Sequence, residues 1–219
     1  MCPVVIFGLG SYARVASVYL ERDSPYNVVA FTAHQEYITE PTLLNRPVVP
    51  FENILQTHPP EQYTILVAMG AHNMNDARTS IYHTCKDMGY QFVTYINSKA
   101  THWGEIEVGE NTFIFEENVI QPFVKIGNNT VLWSGNHIGH DTTIGNNVFI
   151  ASHAVISGHV TIGDNVFVGV NATFVDGIEI APYTLIGAGA FITLSTKPES
   201  AYIGARGEKS SRSSREFSL

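Results

Sequence analysis

A repeat of six residues constrains this chain more than anything else in it. Every sixth position from Val108 gives Val108, Ile114, Ile120, Ile126, Leu132, Ile138, Ile144, Ile150, Ile156, Ile162, Val168, Phe174, Ile180, Ile186 and Ile192. That is fifteen consecutive hits, all aliphatic but one, with no phase slip. The next residue is often small, as at Gly109, Gly127, Gly139, Gly145, Gly163, Gly169 and Gly187. A period of six fits neither a 3.6-residue helix nor an alternating strand. It fits short strands joined by tight turns, each strand pointing one aliphatic inward. Three such strands close a triangular coil of eighteen residues, and coils then stack about 4.8 Å apart, the ordinary strand spacing. The expectation is a parallel β-helix of about five coils over residues 108–196, a solenoid whose ends need caps.

Residues 1–98 lack this period. Val4–Phe7, Val28–Thr32, Pro47–Phe51, Tyr63–Met69 and Gln91–Ile96 read as strands, and Arg14–Arg22 and Asn75–Met88 as helices. Apolar strands alternating with helices predict a small parallel α/β sheet. The expected division is an α/β domain over 1–98, a β-helix over 99–204 and a tail over 205–219, rich in Ser, Arg and Glu.

Charge and composition narrow the function. The net charge is -8, so no basic excess exists to neutralise phosphates, which argues against nucleic-acid binding. No run of eighteen apolar residues is present, so no membrane insertion is expected. The start, Met1-Cys2-Pro3-Val4, has no basic leader, and two cysteines are too few for a disulfide framework. Both point to a reducing cytoplasm.

Three places can carry chemistry. Gly8-Leu9-Gly10-Ser11-Tyr12-Ala13 follows a strand and opens a helix, where backbone N–H groups and the helix terminus favour a phosphate. The acidic residue that would hold a ribose after the second strand is replaced by Ala33-His34. His140 is followed by Asp141, and a carboxylate beside an imidazole fixes its tautomer and raises its basicity. One coil on, residue 158 is Gly, which leaves room beside His140 and a backbone N–H for a developing oxyanion. A base, an orienting carboxylate and an uncovered amide suit acyl transfer. Ala188 and Gly189 are small where the hexad rule does not demand it, leaving a groove for a thin ligand such as a pantetheine arm. His137, His153 and His159 read as surface residues of the coil. The histidines lack the spacing of a metal site, so no metal is expected.

The hexad run resembles the left-handed β-helix acyltransferases. Preceded by a small α/β domain with a Gly-rich turn, it resembles one branch: the sialic-acid O-acetyltransferase and bacillosamine-type nucleotide-sugar N-acetyltransferase family. The resemblance covers about residues 3–204. It implies a homotrimer with active sites between subunits, acetyl-CoA as co-substrate, and a nucleotide-linked amino-sugar held by the N-terminal domain. His140-Asp141 matches the family's base motif and Gly158 the glycine whose amide faces the thioester. The resemblance also implies acetyl-CoA contacts at Val170 and Ala188, and extends them to Phe149 and Gly189. It implies substrate contacts at Gly8, Gly10, Ser11, Tyr12, Thr32 and Gly70. Phe149 stands where some members place a cofactor-binding His. The implied activity is N-acetylation of a 4-amino deoxy-sugar for bacterial surface glycan, such as lipopolysaccharide O-antigen. Three readings stand beside it: O-acetylation of a sugar hydroxyl, a γ-carbonic-anhydrase-like zinc β-helix, and a non-catalytic scaffold.

Overall fold

The structure is a computed structural model that describes residues 2–216; residues 217–219 of the expected tail lie outside it. The N-terminal part is a five-stranded sheet in the order β3-β4-β2-β1-β5. Its strands are β1 (Cys2–Phe7), β2 (Tyr26–Ala33), β3 (Thr42–Leu43), β4 (Arg46–Pro50) and β5 (Thr64–Val67). β1 pairs in parallel with β2 and β5, and β4 in parallel with β2; only the β3–β4 hairpin is antiparallel. Helix α1 (Ser11–Asp23) follows β1, the single turn α2 (Ile54–Thr57) follows β4, and α3 (Asp76–Asp87) follows β5. Val4, Val5 and Ile6 are fully buried, as expected of a parallel strand covered on both faces.

One expected strand does not form as written. Gln91–Ile96 contributes only a single bridge to the sheet, Phe92 to Ile65. Tyr95–Ile96 instead pairs with Phe113–Ile114 in the β-helix. Ile96 lies in hexad phase, two repeats before Val108, so it stacks on Ile114 as its equivalents do.

From Tyr95 to Tyr202 two-residue strands build three parallel sheets of seven, six and five strands. All fifteen positions of the repeat fall on these strands, and additional strands at Tyr95–Ile96, Thr101–His102 and Ala201–Tyr202 extend the stack. Partners are eighteen residues apart, as in Thr143↔Thr161 and Ile144↔Ile162. This is a left-handed parallel β-helix. Its interior is one continuous aliphatic cluster from Ile114 to Ile192. Each buried isoleucine contributes about 1.5–3 kcal/mol relative to exposure. Corners turn through left-handed residues, Asn the most frequent among them, at Asn111, Asn129, Asn147, Asn165 and Asn171. Asn tolerates that backbone region better than most side chains.

The three faces differ outside. The seven-stranded face turns Phe113 and Val131 outward, and both are buried against Tyr12, Ala13 and Ala16 of α1. We call this the docked face. The six-stranded face follows it and leaves Val119, Val155 and Phe191 exposed; we call it the open face. The five-stranded face carries Glu107, Lys125, Thr143, Thr161 and Glu179 outward.

Candidate active site

The β1–α1 turn and the end of β5 enclose a cleft of about 610 Å³ lined by Gly8, Gly10, Ser11, Tyr12, His34, Tyr37, Gly70 and His72. Gly8 has φ +127, and a Cβ there would lie 2.6 Å from the Ala68 carbonyl, so only Gly lets β1 and β5 close this tightly. Gly10 caps α1 without a side-chain hydrogen bond, and the first turn holds no acid. The opening N–H groups of α1 therefore face the cleft free of side-chain acceptors.

Five of the six predicted substrate residues line this cleft: Gly8, Gly10, Ser11, Tyr12 and Gly70. Thr32 does not. It is fully buried and its hydroxyl donates to the Val49 carbonyl at 2.9 Å, because β4 flanks β2 on that side. Thr32 serves the sheet rather than the cleft.

His34 takes the place after β2. Its ring packs edge-on against Phe51 and Phe7, and Nδ1 lies 2.9 Å from Glu52 Oε1. The Glu52 carboxyl is held below the usual carboxylate range, first by its own backbone N–H and then by His34. The acidic group missing from β2 is thus supplied by another loop, one step removed. The sequence pattern did not mark Tyr37 and His72 on the rim, nor Glu52 behind His34, because only the fold brings these loops together.

Tyr12 and Arg78 form the floor between the sheet and the β-helix. Tyr12 packs on Phe113, Phe115 and Trp133, and its hydroxyl is buried without a partner among the described residues. Burial pushes its pKa upward, against a smaller opposing pull from Arg78. Arg78 is fully buried on α3. It donates to the carbonyls of Asn129, Asn147, Val148 and Met69. Burial lowers its pKa to about 10, because the cation has lost its water.

His140 stands elsewhere, on the corner between the open and five-stranded faces. The corner turns at Asp141, with φ +56, and this brings the carboxylate back to the ring: His140 Nδ1 lies 2.9 Å from Asp141 Oδ2. With Nδ1–H donating to Asp141, Nε2 is left as the acceptor. The His140 N–H donates to Gln121 Oε1 at 2.9 Å, which fixes the backbone below the ring. Gly158 is one coil above. A Cβ on Gly158 would lie 2.9 Å from His140 Nε2, so the glycine makes the space that Nε2 faces. The Gly158 N–H has no acceptor among the described residues, although the residue is buried. An unpaired buried N–H is rare and is available to an incoming oxygen. His140, Asp141 and Gly158 are therefore brought together.

Two further side chains reach this corner. The His159 ring meets the His140 ring edge-on at 4.9 Å. His140, Asp141 and His159 offer ligand atoms within 4.8 Å of one another, all from exposed residues. Two imidazoles and a carboxylate on one chain differ from the three histidines of adjoining subunits that the zinc alternative requires. Asp176 reaches the Gly158 gap from the coil beyond, with Oδ1 3.0 Å from the site of a Gly158 Cβ.

The predicted acetyl-CoA residues are not on this corner. Val170, Ala188 and Gly189 lie on the corner between the docked and open faces, across the open face from His140. Phe149 is on the docked face, stacked with Phe167 and 5.7 Å beneath the Arg78 guanidinium. It fills the seam with the α/β sheet.

The family description "Bacterial transferase hexapeptide (six repeats)" matches residues 123–158 and 159–193. PerB from Caulobacter crescentus, solved in complex with CoA and GDP-perosamine, is 26% identical, with a TM-score of 0.82 over 92% of this chain and 94% of that one. The acetyltransferase domain of PglB from Neisseria gonorrhoeae FA1090 has a TM-score of 0.84 at 21% identity, over 92% of this chain and 96% of that one. WeeI from Acinetobacter baumannii AYE has a TM-score of 0.80 at 18% identity, over 93% and 97%. No curated protein matches the chain by sequence. With hexapeptide repeats matched over residues 123–193 and 92% of its length folded like PerB, the chain is an acyltransferase similar to the hexapeptide-repeat nucleotide-sugar acetyltransferases.

Proposed function

We propose that this protein transfers acetyl from acetyl-CoA to the amino group of a nucleotide-linked deoxy-sugar, of the 4-amino kind, with His140 as general base. The observation that carries this reading is the pairing at Gly158: an unpaired N–H beside an imidazole whose other nitrogen is held by Asp141. The amine nitrogen attacks the thioester carbonyl while His140 Nε2 takes an amine proton. The carbonyl oxygen becomes an oxyanion facing the Gly158 N–H. The C–S bond then breaks, CoA thiolate leaves, and the imidazolium can return the proton to it. Asp141 stabilises the imidazolium and holds the tautomer. CoA lies along the open face toward Val170, Ala188 and Gly189.

Residues 1–98 hold the nucleotide-sugar and 99–204 carry the transfer. The diphosphate lies at Gly8–Ser11, over the start of α1. The cleft belongs to the part that covers the docked face, whereas His140 stands on the corner opposite that face. A sugar in the cleft of one copy is therefore served by His140 of another. The exposed Val119, Val155 and Phe191 of the open face give the copies an apolar contact surface, and a homotrimer closes it. No helix among the described residues is long and apolar enough to cross a membrane, and we place the enzyme in the cytoplasm, on the route to a bacterial surface glycan such as lipopolysaccharide O-antigen.

The test is thiol release from acetyl-CoA with UDP-, GDP- and dTDP-linked 4-amino sugars and their hydroxyl counterparts. Turnover on at least one amine, with slower or no turnover on its hydroxyl counterpart, is the expected result. Turnover on hydroxyls alone assigns O-acetylation, and no release on any acceptor removes the reading.

A further inference from the structure

The base of the proposed site has a second carboxylate near it that the reaction as written does not use. His140, Gly158 and Asp176 occupy the same position in three successive coils, eighteen residues apart. The side chains of the outer two lean into the gap of the middle one. A Cβ on Gly158 would stand 2.9 Å from His140 Nε2 and 3.0 Å from Asp176 Oδ1. The imidazole and the carboxylate thus face each other across one empty side-chain position. Asp176 has no hydrogen-bond or ion-pair partner among the described residues, so its charge is free to meet a ligand. Asp176 is exposed, and the following Gly177, which turns the corner at φ +71, adds no side chain beside it.

An acceptor amine and an acceptor hydroxyl differ in charge before reaction. The amine arrives as an ammonium at neutral pH, since alkyl amines titrate near or above pH 8. A hydroxyl arrives neutral. A free carboxylate beside the base attracts the first and offers the second only a hydrogen bond. Resting on the reading above, we infer that Asp176 is a specificity-determining residue that captures the acceptor ammonium and hands it to His140, so that this site selects amines over hydroxyls. One ammonium proton is lost to water, leaving the neutral amine to attack; His140 Nε2 takes a second as the bond to carbon forms, and the third stays on nitrogen, directed at Asp176. The released proton resides on the imidazolium until the thiolate leaves. Asp141, by contrast, is engaged by Nδ1 on the far side of the ring and does not reach the acceptor.

The experiment uses the full-length protein, acetyl-CoA, and the amino-sugar nucleotide that wild type turns over, with its hydroxyl counterpart as control. Asp176→Asn keeps the shape and removes the charge. KM for the amine should rise on the order of 10-fold, the size of a partly exposed charge contact. kcat should change less than 3-fold by the same reasoning, and KM for acetyl-CoA should stay put. Asp176→Glu should restore most of the loss. Raising the salt from about 50 mM to 500 mM should raise the amine KM more in wild type than in Asp176→Asn, because the variant lacks the screened ammonium–carboxylate contact while the diphosphate contact is common to both. A merely structural role predicts neither the salt difference nor the rescue. An unchanged amine KM in Asp176→Asn, or an equal change for amine and hydroxyl, overturns the inference while the function reading stands. Failure of wild type to acetylate any amine overturns both.

Discussion

The guanidinium of Arg78 lies 5.7 Å from the ring centroid of Phe149, and this contact joins the α/β sheet to the β-helix. Arg78 reaches across from α3 with no carboxylate partner among the described residues. Instead, three coil carbonyls and that of Met69 accept its N–H groups. Removing the side chain leaves the Asn129, Asn147 and Met69 carbonyls without donors and opens a cavity between the two parts. Arg78→Ala should therefore cost about 3–5 kcal/mol, as for other large buried truncations. Chemical denaturation would show it as an early loss of the sheet. A midpoint equal to wild type would mean that the seam is held by the aromatic cluster alone.

A second prediction concerns the coil. Ile144 is 1% exposed, midway along the column that runs Val108, Ile126, Ile144, Ile162, Ile180. Ile144→Asp buries an unpaired carboxylate and should cost several kcal/mol, enough to abolish the cooperative transition. Ile144→Val should cost only about 0.5–1.5 kcal/mol. Thermal melts of the two variants check the pair, and equal melting would contradict the interior placement.

The third prediction is kinetic. His140→Ala should lose on the order of 10²–10⁴ in turnover, the usual worth of a general base. Asp141→Asn should lose less, since it disturbs the tautomer and ring orientation without removing the base. Gly158→Ala puts a methyl group 2.9 Å from Nε2, inside contact distance, so it should impair turnover with little change in melting temperature. Acetyl-CoA affinity of His140→Ala should stay near wild type. Near-normal turnover of His140→Ala at saturating substrate would place the base elsewhere.

Alkali supplies the fourth. Burial pushes the Tyr19 and Tyr90 hydroxyls and the Cys85 thiol up to about 12, and raises Tyr12 and Tyr95 too. Unfolded, a tyrosine titrates near 10. Between about pH 10 and 12 the unfolded chain therefore holds fewer protons than the folded one, and stability falls as pH rises. Arg78, with its pKa lowered to about 10, pulls the other way but is one group against five. Denaturation midpoints should be highest below pH 9 and drop steadily above pH 10. Tyrosinate absorbance should lag behind free tyrosine and rise with unfolding. Ordinary titration at pH 10 in the folded protein would count against it.

Much of the candidate site was legible because the repeat is local. Once the phase of the hexads is known, eighteen-residue arithmetic puts Gly158 directly above His140 and Asp141 on the same corner. The same arithmetic gives Asp176 its place but not its direction. Which way Asp176 leans depends on the space that Gly158 leaves, and side-chain direction is not written in a period.

By itself the sequence determined the β-helix, its interior and the order of its corners, because each hexad makes the same short-range choice and the choices add without interference. It also determined the β1–α1 turn, where Gly8 alone permits the backbone approach. Only the tertiary structure decided that Tyr95–Ile96 joins the β-helix, that Thr32 turns away from the cleft, and that Phe149 sits under Arg78. Only the tertiary structure placed Glu52 behind His34, and put the cleft and His140 on opposite sides of the prism. These depend on how two folded surfaces fit together. The energies that fix that fit come from residues far apart in the chain, so no local pattern carries them.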